Sequence, residues 1–372
     1  MLASQLGIRL IILLGKTVPL PASGEVMNAV SRVEVVNDAE NGDGFTITLN
    51  LGKDKAADYS LLKSGVFDPF NRVVIGVALG PIPEVLIDGI VAHHQVAPSN
   101  EPGTSTLKVM GRDLRQMLDL EEKNEEYKNQ PDFVIFSRIV AGYGQYGLVP
   151  QATPTTDVPI EIERIPSQHE TDLKFIERLA KRNGFVFYIE PLTFGVNRAY
   201  FGPEIRAGLP QPALSVGMGF FTNVKRFNFS NDALAPESPK GSITEPITKI
   251  SIPIPSLPSL KIPPLSLSPA SARRKTLLRD TANQSPVKAA VTALAKATNA
   301  PDSVKGEGEL DTVRYGHVLR ARGLVGVRGV GASYGGNYYV RSVKHAIARD
   351  SYTQQFTISR EGTGSLLPVV RP

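Results

Sequence analysis

The chain has 372 residues, with 41 Lys and Arg against 36 Asp and Glu for a net charge of +5, and it contains neither cysteine nor tryptophan. That length predicts two or three domains with sizeable cores, while the missing cysteines exclude a disulfide framework, a thiol nucleophile and a cysteine-ligated zinc. Positive charge collects late, with 16 basic against 7 acidic residues from Ser271 onward and 25 against 29 before it. The first apolar run, Ile8 to Leu14, is too short for a membrane span and lacks the basic flank of a signal peptide, so it predicts an ordinary strand and no stable membrane insertion.

Short strands follow at Val30 to Val36, Phe45 to Leu51, Val73 to Leu79, Glu84 to Val91 and Ser105 to Val109. Asn41-Gly42-Asp43-Gly44 is a hairpin signal between the first two. Phe45, Ile47, Leu49 and Leu51 alternate with Thr46, Thr48 and Asn50, the period of a sheet with one buried face, and so many short strands predict a strongly curved sheet or small barrel. After Gly111 the period changes. Arg112 to Glu122 and Asp132 to Ala141 carry apolar residues at helical spacing, and Glu170 to Asn183 carries Leu173, Ile176, Leu179 and Ala180 with Thr171 as cap and Gly184 as terminator. Phe185 to Ile189 and Asn223 to Phe229 return to strand.

Between Ala235 and Ala270 lie nine of the 29 prolines, so neither helix nor inner strand is expected to persist there. The many aliphatics of this stretch, Ile250 to Leu267, predict an extended arm lying along its own domains or a neighbouring subunit rather than a solvated tether. Ser285-Pro286 is a helix start, with the serine as cap. From Val313 to Gly362 alternation and glycine turns again predict short antiparallel strands, whose edges require partners. Arg320, Arg322 and Arg328 lie there among glycines and aliphatics, without stacking aromatics or a groove-reading helix, which predicts an acidic protein partner rather than nucleic acid.

The vocabulary of catalysis is nearly empty. Gly331-Ala332-Ser333-Tyr334-Gly335 satisfies the G-x-S-x-G pattern, but a second strand follows where a nucleophile elbow needs a helix, so a hairpin loop is expected. His93 and His94 fall at a strand end and point to opposite faces, and His169 lacks a second histidine four residues on. With His317 and His345, all five histidines read as surface or strand-end residues. Glu121, Glu122, Glu125 and Glu126 interleave with Lys123 and Lys128 as a solvated helix end does. No catalytic, cofactor-binding or metal-ligating residue and no cofactor is assigned.

The order of segments carries a resemblance. Ser167 to Tyr188, with Gln168-His169-Glu170-Thr171-Asp172 leading the helix, closely resembles the helix-then-strand block of phage late control D and VgrG-type baseplate hub proteins of contractile tails and injection systems. Gly111-Arg112-Asp113-Leu114, Ile139 to Leu148, Gly336-Asn337-Tyr338-Tyr339-Val340 with Val343-Lys344-His345, and Tyr352 to Arg360 are similar to further blocks of that family, in the same order. The resemblance implies an α+β, mainly β chain with two small tube-like β-barrel domains, helical insertions and an extended Pro-rich arm, in a trimeric hub. Expected boundaries are a first barrel over 1–110 completed by strands around 185–232, a mixed insertion over 111–184, the arm over 233–270, and a helix with the second barrel over 271–372. It implies a non-enzymatic homotrimer joining a sixfold inner tube or tube-initiator protein to a threefold spike and touching other baseplate components, cytoplasmic during assembly and then part of a phage tail-like particle. Because the sequence stops at Pro372, the spike is expected as a separate polypeptide. The alternatives are a tail-associated cell-wall hydrolase and a receptor- or carbohydrate-binding β module.

Overall fold

The computed structural model describes residues 7–52, 59–101, 103–162, 165–244, 251–253, 261–278 and 286–366. The fold is mainly β. Its first unit begins with β1 (Arg9–Gly15), the two-residue β2 (Leu20–Pro21) and α1 (Gly24–Ala29), whose N-terminus Ser23 caps by accepting from Val26 N–H. It continues through β3 (Val30–Asp38), β4 (Gly44–Asn50), the short α2 (Ser60–Lys63), β5 (Arg72–Ala78), β6 (Glu84–Ala97) and β7 (Thr106–Asp113). The expected alternation decides which side chains turn inward: Leu10, Ile12, Val33, Val35, Ile47, Leu49, Val73, Ile75, Leu107 and Val109 share one core. Since one face of all six long strands converges on that core, the sheet must curl around it.

An insertion follows, with its own aromatic core around Phe136, Phe175, Phe187 and Phe201. It comprises a six-residue 3-10 turn, β8 (Glu122–Glu126), α3 (Asp132–Ala141), β9 (Leu148–Ala152), β10 (Ser167–Thr171), α4 (Asp172–Asn183), β11 (Val186–Thr193) and β12 (Val196–Gly202). The helix expected over 112–122 is only the 3-10 turn Leu114–Asp119. Leu114 and Leu118 are buried as their spacing requires, but the acidic run after them pairs with β10 as a strand instead of extending a helix. Thr171 does cap α4, accepting from Lys174 N–H at 3.4 Å, and Gly184 closes it at φ +68°.

The second unit opens with β13 (Gln211–Ser215) and β14 (Val224–Asn231). The Pro-rich stretch then supplies only the short strands β15 (Glu237–Lys240), β16 (Ser242–Thr244), β17 (Ser251–Pro253) and β18 (Ser266–Pro269), followed just beyond it by β19 (Arg274–Leu277), none longer than four residues. Each described piece belongs to a two-stranded ladder, so none is an inner strand, and a missing N–H is tolerated there. After α5 (Pro286–Thr298), whose expected cap Ser285 lies outside the described residues, come β20 (Val304–Asp311), α6 (Thr312–Tyr315), β21 (Leu324–Arg328), β22 (Gly336–Ala348), β23 (Ser351–Arg360) and β24 (Gly362–Ser365).

Pairing reveals a repeat that the letters hide. The first unit runs β3-β4-β7-β6-β5-β1 across the sheet, and the second runs β14-β20-β23-β22-β21-β13, the same positions in the same chain order. Both carry a bulge in their first strand pair, at Val30/Arg32 and Val224/Arg226, and another at Val91/His93 and Val340/Ser342. Each also holds one non-glycine residue in the left-handed region, Phe70 at φ +68° and Arg322 at φ +64°, and these donate N–H to the matching carbonyls of Val91 and Val340. They differ at one margin, where β1 meets β5 antiparallel but β13 meets β21 parallel. In both units, no described strand pairing joins the first position to the last.

The two units are one sheet because β3 pairs antiparallel with β22, from Ser342↔Asp38 to Ala348↔Arg32. The strands expected to complete the first unit, around 185–232, do not do so. β12 pairs with β11 on one side and β9 on the other, where Phe187 and Phe201 meet the aromatic core of the insertion, while β13 and β14 start the second unit.

Candidate assembly interface

Where the units meet, a buried ionic group closes the joint. Asp43 stands in the turn between β3 and β4, and Arg322 stands at its left-handed position before β21. Their side chains pair through Arg322 Nη2–Asp43 Oδ1 at 2.5 Å and Nη1–Oδ2 at 3.1 Å, with only 3% of Asp43 and 6% of Arg322 exposed. Burial alone would favour losing the guanidinium proton, but Asp43 outweighs it and raises the Arg322 pKa above its ordinary value. Arg322 also donates to the Asp38 carbonyl at 2.6 Å and lies over the Tyr188 ring of the insertion, 4.7 Å from its centroid. Asn37 donates to Asp43 and to the Leu86 carbonyl, both at 3.0 Å. Three parts of the chain therefore converge on one guanidinium.

The insertion is fastened to the first unit in the same manner. Arg72 grips Asp88 at 2.8 and 2.7 Å and donates to the Tyr146 carbonyl at 2.8 Å, while Asn197 donates to the same Asp88.

A second buried network secures the arm. Asp302 receives Arg206 at 3.0 Å, Arg341 at 2.8 Å, Lys261 of the arm at 3.1 Å and the Ser359 hydroxyl at 2.6 Å. Burial pushes the Asp302 pKa up, but Lys261, Arg206 and Arg341 together hold it well below the usual carboxylate range. Glu361 accepts the backbone N–H groups of Leu265 at 2.5 Å and Ser266 at 2.8 Å while binding Arg206. In the adjoining cleft of about 460 Å³, Glu204, Lys261, Asp302 and Arg341 in the wall are already paired with one another.

These contacts relocate the charges read as a partner surface. Arg322 is consumed in the joint, Arg320 pairs with Glu84 at 2.8 Å and donates to the Val85 carbonyl, and Arg328 donates to Ser215 at 2.6 Å beside the Phe221 ring. All three have partners within the chain: Arg320 and Arg322 reach from the second unit to the first, and Arg328 joins β21 to its neighbour β13. A charge placed among buried aliphatics was the available signal for such a role.

Among the histidines, His93 and His94 lie inside β6 rather than at its end, with His93 exposed and His94 within 3.5 Å of the Phe67 carbonyl; His169 and His317 are exposed. His345 departs from expectation. It is 1% exposed in the middle of β22, with Nδ1 2.9 Å from the Tyr352 hydroxyl. The inward face of β22 includes its position, so a polar ring follows the aliphatic pattern. Ser333 lies in the loop between β21 and β22, where its carbonyl accepts from Arg360 at 2.7 Å, as a hairpin reading requires. Glu122 to Glu126 form strand β8, not a helix end, and Lys123 reaches Asp172 at 2.6 Å.

No protein-family model and no curated protein matches the sequence. Solved structures do. The chain is similar to a tail protein of Neisseria meningitidis MC58, with TM-score 0.63 and 14% identity over 96% of this chain and 98% of that one. The 43 kDa tail protein of prophage MuSo2 from Shewanella oneidensis gives TM-score 0.62 and 16% identity over 95% and 98%. A component of the E. coli type VI secretion system, described as similar to tail proteins of bacteriophage T4, gives TM-score 0.56 and 12% identity over 92% and 77%. The fold is that of phage tail and VgrG-like proteins, as the order of sequence blocks implied.

Proposed function

We propose that this chain is a non-enzymatic hub of a contractile tail or injection particle, a homotrimer that joins a sixfold inner tube to a threefold spike. The observation that carries this reading is the repeat itself. Two units with the same strand order, bulges and left-handed residue stand side by side in one sheet. Three such chains hold six equivalent units, so one ring can meet sixfold symmetry on one face and threefold symmetry on the other.

The buried joints suit a mechanical role. A hub that is driven forward with the tube must transmit load without its units separating, and desolvated ion pairs spanning Asp43, Arg322, Asp88 and Arg72 make the chain move as one piece. The acidic partners expected of the basic C-terminal part would then be met by residues other than Arg320, Arg322 and Arg328. Light scattering on the purified chain tests the proposal: a trimer that co-sediments with tube protein supports it. A monomer, or a trimer indifferent to tube protein, overturns it.

A further inference from the structure

The internal seam has an unoccupied counterpart. Within the chain, β3 lies along the second half of β22, beyond the bulge at Val340/Ser342. The repeat makes β14 the equivalent of β3, and β6 beyond Val91/His93 the equivalent of that half of β22. Both equivalents are open. β14 ends the sheet with β20 on one side only, and β6 after Val91 has β7 on one side and no described strand on the other. A chain with two complementary open edges invites repetition of its own joint.

We infer that β14 of one copy adds to the open half of β6 in a second copy, in the register of the internal seam. That register places Asp232 opposite His93, Asn231 opposite His94, Ser230 opposite Gln95, Phe229 opposite Val96 and Asn228 opposite Ala97. Side-chain chemistry agrees with it. Val96 packs against the first core and Phe229 against the second, so pairing them continues one apolar face across the seam. His93 and Asp232 form a complementary pair on the other face.

Phe70 supplies an independent observation. It is a bulky apolar residue, 55% exposed and held at φ +68°, a backbone state that costs on the order of 1–3 kcal/mol outside glycine. Its N–H donates to the Val91 carbonyl, yet its ring stays largely in solvent within one copy. Its counterpart Arg322 is the residue that reaches across the internal seam to Asp43. One step beyond Val36↔Gly44, Asp43 takes the position that Val304 takes opposite Asn231 in the second unit. Between copies the place of the ion pair is thus taken by Phe70 over the strand end at Val304, whose own side chain is already buried in the second core.

The inference rests on the proposed ring for the number of copies, though not for the choice of strands. Because the chain has no cysteine, cross-linking reads the seam directly. Ala39 N–H donates to the Arg341 carbonyl, which makes Val36 and Lys344, and hence Ser230 and Gln95, a non-hydrogen-bonded pair whose close Cα atoms accept a disulfide. Oxidised Gln95→Cys/Ser230→Cys protein should form a covalent ladder closing at three copies, while Gln95→Cys/Asn231→Cys, aimed at the opposite face, should not. Phe70→Asp should weaken association about tenfold or more without changing the far-ultraviolet spectrum. A trimer that resists the first cross-link, or forms both equally, overturns the seam and spares the threefold reading. A ladder closing at another number does the reverse, and a chain that stays monomeric overturns both.

Discussion

His345 occupies a position that its strand pattern reserves for an aliphatic side chain, opposite Val35 and against Tyr352. Burial, aided by the charge of Arg320, lowers its pKa to about 3. Between that value and the ordinary histidine range near 6.5 the folded state binds fewer protons than the unfolded chain, so the stability present above neutrality falls as pH drops, by about 1.4 kcal/mol per unit. Asp302 titrates in the opposite corner. Its lowered pKa keeps its contribution intact until the pH falls below the ordinary Asp value near 4. Urea denaturation at pH 7.5 and pH 5 should therefore lose about 2 kcal/mol in the native chain and much less in His345→Leu. Equal losses would show that His345 is not the group responsible.

Arg322 and Asp43 permit a sharper test. Removing one member leaves a buried charge alone, so Arg322→Met or Asp43→Leu should each lose about 3–5 kcal/mol. The double variant should recover much of that, because two apolar side chains need no partner. Additive losses in a double-mutant cycle would mean that the two groups do not act as a pair.

At the scale of elements, the arm is held by a few polar atoms rather than by a broad core. Leu265 is its one described residue in a buried cluster, with Leu324 and Tyr339. Glu361→Ala removes the acceptor of two arm amides and one contact of Arg206, which retains Asp302 and Glu204. Amide exchange in residues 265–270 should then quicken at least tenfold, while β22 and β23 stay protected. Exchange unchanged in that segment would place the anchor elsewhere.

Elements were legible where the pattern is local. The β3–β4 hairpin, α3 and α4 follow from turn residues, alternation and capping. The run after Gly111 misled because Leu114 and Leu118 satisfy helical spacing whether the chain makes one turn or three. Nonlocal pairing was hidden altogether. β3 meets β22 some 300 residues later, and nothing in either strand's own sequence names the other. The doubling was reachable only through the family resemblance, for a related reason: Val33 and Phe227, or Ile47 and Gly308, hold equivalent positions with unlike side chains, and only bulges and backbone dihedrals preserve the relation.

For the molecule as a whole, the question is whether two units with separate cores behave as one body. Their cores are distinct, yet β3 and β22 share a ladder, Arg322 binds Asp43 across it, and the insertion touches that same arginine through Tyr188. Opening the seam would expose two long strand edges and strand a buried ion pair, a penalty too large for either unit to unfold alone beneath the global transition. Calorimetry of the chain, held dissociated by Phe70→Asp, should accordingly show one endotherm whose calorimetric and van't Hoff enthalpies agree. Arg322→Met should move that endotherm down as a whole. Two resolved endotherms, or a van't Hoff enthalpy near half the calorimetric one, would mean that the units are beads on a chain, and a hub built from them could not carry load across the joint.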